Sequence, residues 1–216
     1  MDLGPIGGSV TVILSGAQIG AGAINHIVNG SSLTNILIVV GSAIDLTGVT
    51  FQNWGSDDTL RLTGTGGADT LIGSDQVQTL QGLAGNDTLT GGASADVLTG
   101  GTGRDIQSGG LGADYFDFNS TKESKKGAQR DTITDFNHSE LDQIDLAGID
   151  AKKHAHGNQK FKFIGKHDFH GKEGELHYVK HGTSVWVEGD VNGDGRADFQ
   201  IKVDGVSSLS SGDFQL

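Results

Sequence analysis

Aspartate recurs at multiples of nine residues through the middle of this chain, at Asp69, Asp87, Asp96, Asp105 and Asp114, and each follows a stretch dominated by glycine. A carboxylate is a hard oxygen donor, and glycine backbone bares its carbonyls and reaches φ > 0 without steric cost. Together they supply the irregular shell of about six to eight oxygens that calcium prefers. One such loop cannot complete a shell. Two loops held side by side can sandwich an ion.

The elements that would hold those loops follow from the same period. Residues 64–117 divide without gaps into six blocks of nine: GTGGADTLI, GSDQVQTLQ, GLAGNDTLT, GGASADVLT, GGTGRDIQS and GGLGADYFD. The pattern is GGxGxDxUx, with a large apolar residue in the eighth place at Leu71, Leu80, Leu89, Leu98 and Phe116. The last three places read as a short strand whose middle side chain points inward, and the glycine-rich six as a turn. Two blocks then make one coil of 18 residues. Successive coils stack as parallel strands, odd blocks along one edge and even blocks along the other. The core is a narrow apolar column that cannot hold the fold alone. If the aspartates only capped turns, like charges would stack at strand spacing with nothing to offset them.

Composition agrees with a repeat and not with a disordered linker. The 216 residues include 36 glycines but a single proline, and 35% are hydrophobic with only 6% aromatic, so the core must be thin. The formal charge is −12, and residues 1–117 hold 11 acidic residues against Arg61 and Arg104 alone. So acidic a half repels phosphate backbones, which argues against nucleic acid and anionic membranes and for divalent cations as partners. Cysteine is absent, so neither disulfides nor thiolate metal sites contribute. The run VTVIL (10–14) is too short for the core of a signal peptide, and ILIVV (36–40), the longest wholly apolar run, is far too short for a membrane span. Export, if it occurs, is expected not to use an N-terminal signal within these residues.

Upstream of the repeats, VTVIL (10–14), INHIV (24–28), NILIVV (35–40), VTF (49–51) and TLRLT (59–63) are β-like without the nonapeptide. Residues 1–63 are expected to form irregular coils that extend or cap the roll, the alternative being a separate small β-domain. Downstream the glycine rhythm stops, and every lysine lies at or after Lys122, which places a boundary near residue 118. KFKFIG (160–165), ELHYV (175–179), SVWVEG (184–189) and DFQIKV (198–203) alternate apolar and polar residues, as antiparallel strands with one wet face do. The mixed charges of TKESKKGAQR (121–130) read as a solvated loop. The fold class expected is all-β, a parallel β-roll over 64–117 followed by an antiparallel β-rich cap over 118–216.

The six blocks resemble the RTX calcium-binding nonapeptide, the β-roll of secreted bacterial proteases, lipases, toxins and alginate epimerases. Residues 131–216 resemble the C-terminal domain of serralysin-type metalloproteases and other type I secretion substrates, through DTITDF (131–136), DQIDLAGIDA (142–151), FKFIG (161–165), FHGKEGELHY (169–178), GDVNGDGRADFQI (189–201) and DFQL (213–216). The resemblance implies calcium sites built from carbonyls at the second and fourth places of one loop, carbonyls at the first and third places of the loop two blocks on, and both aspartates. In this chain Thr65, Gly67 and Asp69 would then face Gly82, Ala84 and Asp87. Leu83, Gly85 and Asp87 would face Gly100, Thr102 and Asp105. On the other edge Gly92, Ser94 and Asp96 would face Gly109, Leu111 and Asp114.

Three residues depart from the pattern. Gln78 replaces aspartate in block two, Ser94 replaces glycine in block four, and Gln107 replaces the inward apolar residue in block five. A neutral amide offers a cation one oxygen and no charge, so the site between blocks two and four is expected to be weak or empty. Gln107 leaves two readings, an inward amide or a register shift that turns Ile106 inward.

Other chemistry-bearing residues are less specific. Asp190, Asn192, Asp194, Gly195 and Asp198 have the spacing D-x-N-x-D-G-x-x-D of a calcium loop, but Ile201 stands where an EF-hand closes with glutamate. A hairpin turn at Asn192-Gly193 is the favoured reading. His154, His156, His167 and His170 would allow a zinc site, yet there is no HExxH stretch, and scattered histidines on wet strands are usually structural. No GxSxG elbow or P-loop is present, so no catalytic site is assigned.

The function expected is therefore an extracellular calcium-binding module, secreted through a type I exporter by an uncleaved C-terminal signal and folding when it meets calcium outside. Two alternatives stand beside it. One is the non-catalytic end of a larger secreted protease, lipase or alginate-modifying enzyme; the other is a polysaccharide-binding or adhesin module.

Overall fold

A computed structural model describes residues 10–15, 27–29 and 34–216. Residues 24–26 of the INHIV run lie outside the described residues. Among the described residues the chain is β throughout, apart from two single-turn 3-10 helices.

The upstream strands are β1 (Val10–Ser15), β2 (Ile27–Asn29), β3 (Asn35–Val40), β4 (Ala43–Asp45), β5 (Thr50–Gln52) and β6 (Thr59–Thr63). The repeats give one short strand each: β7 (Thr70–Ile72), β8 (Gln78–Gln81), β9 (Thr88–Gly92), β10 (Val97–Thr99), β11 (Ile106–Gly110) and β12 (Tyr115–Asp117). The tail adds β13 (Asp131–Ile133), β14 (Gln143–Asp145), β15 (Lys162–Phe163), β16 (Glu175–His181), β17 (Ser184–Asp190), β18 (Phe199–Val203) and β19 (Phe214–Gln215).

Odd and even blocks feed opposite sheets. One sheet runs β1-β3-β6-β8-β10-β12-β14-β19 and the other β4-β7-β9-β11-β13-β18-β17-β16-β15, with β2 and β5 forming a small pair of their own. Within the repeats the strands are parallel and one coil apart, pairing Leu71 with Leu89, Leu89 with Gln107, Leu80 with Leu98 and Leu98 with Phe116. Leu62, Leu71, Leu80, Leu89, Leu98 and Phe116 are completely buried and form the column between the sheets. The upstream strands β3, β4 and β6 continue both sheets.

The sheets also run past residue 118. Strand β13 pairs with β11 and β14 with β12, both parallel, and among the strands of the described residues antiparallel pairing is confined to β16 with β17 and β17 with β18. The change of rhythm near 118 is thus a change in loop length within sheets that continue. Gln107 settles between the two readings of its block: it is 0% exposed between Leu89 and Ile133, while Ile106 is 43% exposed. No register shift occurs. The Gln107 amide enters the apolar column, where neither its Nε2 nor its Oε1 has a hydrogen-bond partner.

Candidate metal centre

The sixth-place aspartates form two ladders along the edges of the roll. On the odd edge the Asp69 N–H donates to Asp87 Oδ1, the Asp87 N–H to Asp105 Oδ1 and the Asp105 N–H to Asp131 Oδ1, each at 2.8 Å. On the even edge the Gln78 N–H donates to Asp96 Oδ1 at 3.0 Å, the Asp96 N–H to Asp114 Oδ1 at 2.8 Å and the Asp114 N–H to Asp142 Oδ1 at 3.0 Å. One oxygen of each carboxylate from Asp87 to Asp142 therefore supports the coil before it. The other is free to face the loop.

That second oxygen distinguishes the members. At Asp69 it accepts from the Thr65 N–H at 2.6 Å, at Asp142 from the Asn137 N–H at 2.8 Å, and at Asp96 from Gln78 Nε2 at 3.4 Å. At Asp87, Asp105, Asp114 and Asp131 it is buried without any hydrogen-bond partner. A buried carboxylate oxygen left bare is costly unless a proton or a cation meets it. Burial, against the opposing backbone hydrogen bond, pushes Asp96 and Asp105 up to about 7, Asp114 up to about 6 and Asp131 up to about 8. Burial likewise raises Asp87 and Asp142, with the neighbouring carboxylates adding to the rise.

Main-chain oxygens converge on the same places. A methyl group built on Gly82 would lie 2.4 Å from Asp87 Oδ2 and 2.5 Å from the Gly100 carbonyl; one on Gly91 would lie 2.4 Å from both Asp96 Oδ2 and the Gly109 carbonyl. One on Gly64 would lie 2.5 Å from Asp69 Oδ2 and 2.6 Å from the Gly82 carbonyl. The first-place glycines thus leave a cradle where an aspartate oxygen and a carbonyl from the next coil meet, and only a residue without Cβ leaves it open. These cradles join Asp69 with Gly82, Asp87 with Gly100 and Asp96 with Gly109.

The remaining expected donors lie in loops that stack directly. Ala84 bridges Thr102: the Thr102 N–H donates to the Leu83 carbonyl and the Gly85 N–H to the Thr102 carbonyl, both at 2.9 Å. The Leu111 N–H donates to the Gly92 carbonyl at 2.9 Å. Gly85 packs on the Gly67 carbonyl, Gly112 packs on the Ser94 carbonyl, and Ser94 Oγ donates to the Asp75 carbonyl. Each carbonyl so engaged keeps a second lone pair. Among the described residues no group of three or more His, Asp or Glu side chains is arranged to hold a metal, so a cation here would need these main-chain oxygens. All-oxygen donors, irregularly disposed around bare buried carboxylates, fit calcium.

Asp131 and Asp142 were not among the site residues expected from the sequence. They stand 26 and 28 residues beyond Asp105 and Asp114 instead of 18, so the nonapeptide ruler passes over them. The triplet Asp-x-apolar, present as Asp131-Thr132-Ile133 and Asp142-Gln143-Ile144, was the available signal. Asp135 joins them at the roll's end, where it accepts from the Gly109 and Gly110 N–H groups and from Ser108 Oγ.

The loop of Asp190, Asn192, Asp194 and Asp198 joins β17 to β18 and spends its carboxylates on itself. Asp190 accepts from the Gly193 and Gly195 N–H groups, Asp194 from the Arg196 N–H, and Asp198 from the Val191 N–H and from Asn192 Nδ2. The connection spans residues 191–198, longer than a two-residue Asn-Gly turn. Four of the eight histidines lie on carboxylates, His154 on Glu173, His170 on Glu175, His177 on Glu188 and His138 on Asp213.

Residues 43–216 match the family model described as the peptidase M10 serralysin C terminal. That model describes a C-terminal domain and not the peptidase domain. Two solved structures with a similar fold are subunits of a mannuronan C5-epimerase from Azotobacter vinelandii. The AlgE6R2 subunit is 23% identical, covering 72% of this chain and 91% of its own, with a TM-score of 0.52. The AlgE6R3 subunit is 26% identical, covering 74% of this chain and 80% of its own, with a TM-score of 0.43. A search of curated protein sequences finds no match. Among the described residues no helix is long and apolar enough to cross a membrane.

Proposed function

The chain belongs to the family of the peptidase M10 serralysin C-terminal domain, and from that premise we propose that it is a calcium-binding, non-catalytic module of a secreted protein, which folds on meeting calcium outside the cell. The observation that carries this reading is the set of four buried carboxylate oxygens, on Asp87, Asp105, Asp114 and Asp131, with no partner in the protein. Calcium, when bound, would supply the positive charge these oxygens lack. The residues proposed to hold it are the facing sets of the repeats: Thr65, Gly67 and Asp69 with Gly82, Ala84 and Asp87; Leu83, Gly85 and Asp87 with Gly100, Thr102 and Asp105; Gly92, Ser94 and Asp96 with Gly109, Leu111 and Asp114. Two more places follow from the ladders, between Asp105 and Asp131 and between Asp114 and Asp142.

Folding and binding are then one event. The apolar column is one residue wide per block, so it offsets little chain entropy, and the ladders repel themselves when ionised. In low free calcium the repeats are expected to be expanded, a state suited to passage through a type I exporter; at the millimolar range of extracellular modules they close. Asp213 and Phe214, within the secretion-signal resemblance, are buried in the folded chain, with Asp213 on His138 and the Phe214 ring 5.0 Å from that of Phe163. An exporter that reads this segment must therefore meet it before the cap closes.

A melting series tests the metal. Millimolar calcium should raise the melting temperature well above its value in chelator. Magnesium at the same concentration should do much less, because it demands near-octahedral geometry at short distances. Equal melting in calcium, magnesium and chelator would overturn the proposal.

A further inference from the structure

Gln78 takes the sixth place of its block, where the other five blocks carry aspartate. Its side chain is inward, and the residue is 3% exposed. Nε2 donates to the Ser74 carbonyl at 3.0 Å, to the Gly91 carbonyl at 3.0 Å and to Asp96 Oδ2 at 3.4 Å, while Oε1 accepts from the Ser74 N–H at 3.0 Å. The amide is enclosed tightly: a methyl built on Gly73 would lie 2.1 Å from the Gly91 carbonyl and 2.6 Å from Gln78 Nε2.

The groups that receive those protons are informative. Ser74 is the second place of one loop, Gly91 the first place of the loop two blocks on, and Asp96 the aspartate beyond it. Elsewhere on the roll the first-place carbonyl meets an aspartate oxygen, as the Gly100 carbonyl and the bare Asp87 Oδ2 do at Gly82. Here Asp96 Oδ2 is not bare, whereas the corresponding oxygens of Asp87, Asp105 and Asp114 are.

We propose that the Gln78 side-chain amide stands in for a cation between the coils that carry Ser74 and Gly91, so that this gap is closed by the protein itself and takes no calcium. The inference rests on the calcium reading of the neighbouring gaps. An N–H₂ group carries partial positive charge on two protons and can point them at two or three oxygens at once, which is the task a metal performs next door. The exchange has a direction: a glutamine binds no ion but needs none, so this gap between two coils of the repeats closes whatever the calcium level. Aspartate at the same place would withdraw the donor, add a negative charge and restore the all-oxygen set.

The test uses the full chain and two variants. Gln78→Asp should bind one more calcium ion than the parent in a calorimetric titration; an unchanged count would overturn the proposal. Gln78→Met removes the donor without adding charge. It should leave the count unchanged and lower the melting temperature in saturating calcium by about 2–4 °C, since Asp96 Oδ2 and two carbonyls lose their partner. An undiminished melting temperature would also overturn it, including in the case where Gln78→Asp does not fold. A parent that binds no calcium at all sinks the calcium reading; the Gln78→Met melt then still decides whether the amide holds the gap.

Discussion

Asp87 stands between Asp69 and Asp105, and Asp114 between Asp96 and Asp142, so each of these carboxylates borders two gaps while Asp69 borders one. The sequence suggests a different ranking, with Asp87 alone serving two ions and Asp114 one, because the repeat pattern ends at residue 117 and hides Asp142. Replacement by asparagine keeps the shape and removes the charge that draws a divalent cation. Asp87→Asn and Asp114→Asn are each expected to lower calcium stoichiometry by up to two and Asp69→Asn by at most one, read by calorimetric titration in one buffer; equal losses at all three would mean that the ladders do not define the sites. Gln107 shows the opposite limit of sequence reading. Its block predicts an apolar side chain, a polar one is present, and only the three-dimensional register tells which of Ile106 and Gln107 faces inward. Since the buried amide lacks partners, Gln107→Leu should stabilise the folded protein by about 1–3 kcal/mol in denaturant melts, and a loss of stability would show that the amide is bonded in solution.

Elements were legible where their period was fixed. The strands of the repeats follow the nonapeptide because an inward residue every ninth place admits one parallel register, from Leu71 to Leu89 and from Leu80 to Leu98. Strands β13 and β14 break that period with longer loops yet keep the register, which alternation alone could not reveal. In the cap, β16 and β17 carry their own polar pair, His177 Nε2 on Glu188 Oε2 at 3.0 Å with His177 Nδ1 on the His167 carbonyl. Burial alone would lower His177, but these contacts hold it above its ordinary 6.5. Burial alone would raise Glu188, but hydrogen bonds from His177 and Gln200 hold it below its ordinary 4.5. The raised histidine stabilises the fold fully below 6.5 and stops doing so as pH rises through its folded value. The lowered glutamate does so above 4.5 and stops as pH falls through its own. Glu188→Gln should therefore cost most stability between about pH 4.5 and 6.5 and progressively less at higher pH. A melting difference independent of pH would show that the pair is not charged in the fold.

At the scale of the molecule, two sheets run from the upstream coils through the repeats into the cap, and between them lies a column one side chain wide. Both the roll and its acidic edges could be read from residues 64–117, because a repeat states its geometry six times. The cap could be read only as strands, since its connections are set by long-range contacts such as Ile133 with Val203 and Ile144 with Phe214. On the proposed reading, the interior of the repeats is too thin to oppose the charge of its own ladders. Far-ultraviolet circular dichroism of the full chain, at about pH 8.5 so that the buried carboxylates are ionised, puts that to the test in excess EGTA and then in a calcium titration. The account predicts a large loss of β signal in chelator and its cooperative return as calcium reaches the millimolar range; the same β signal at every calcium concentration would contradict it.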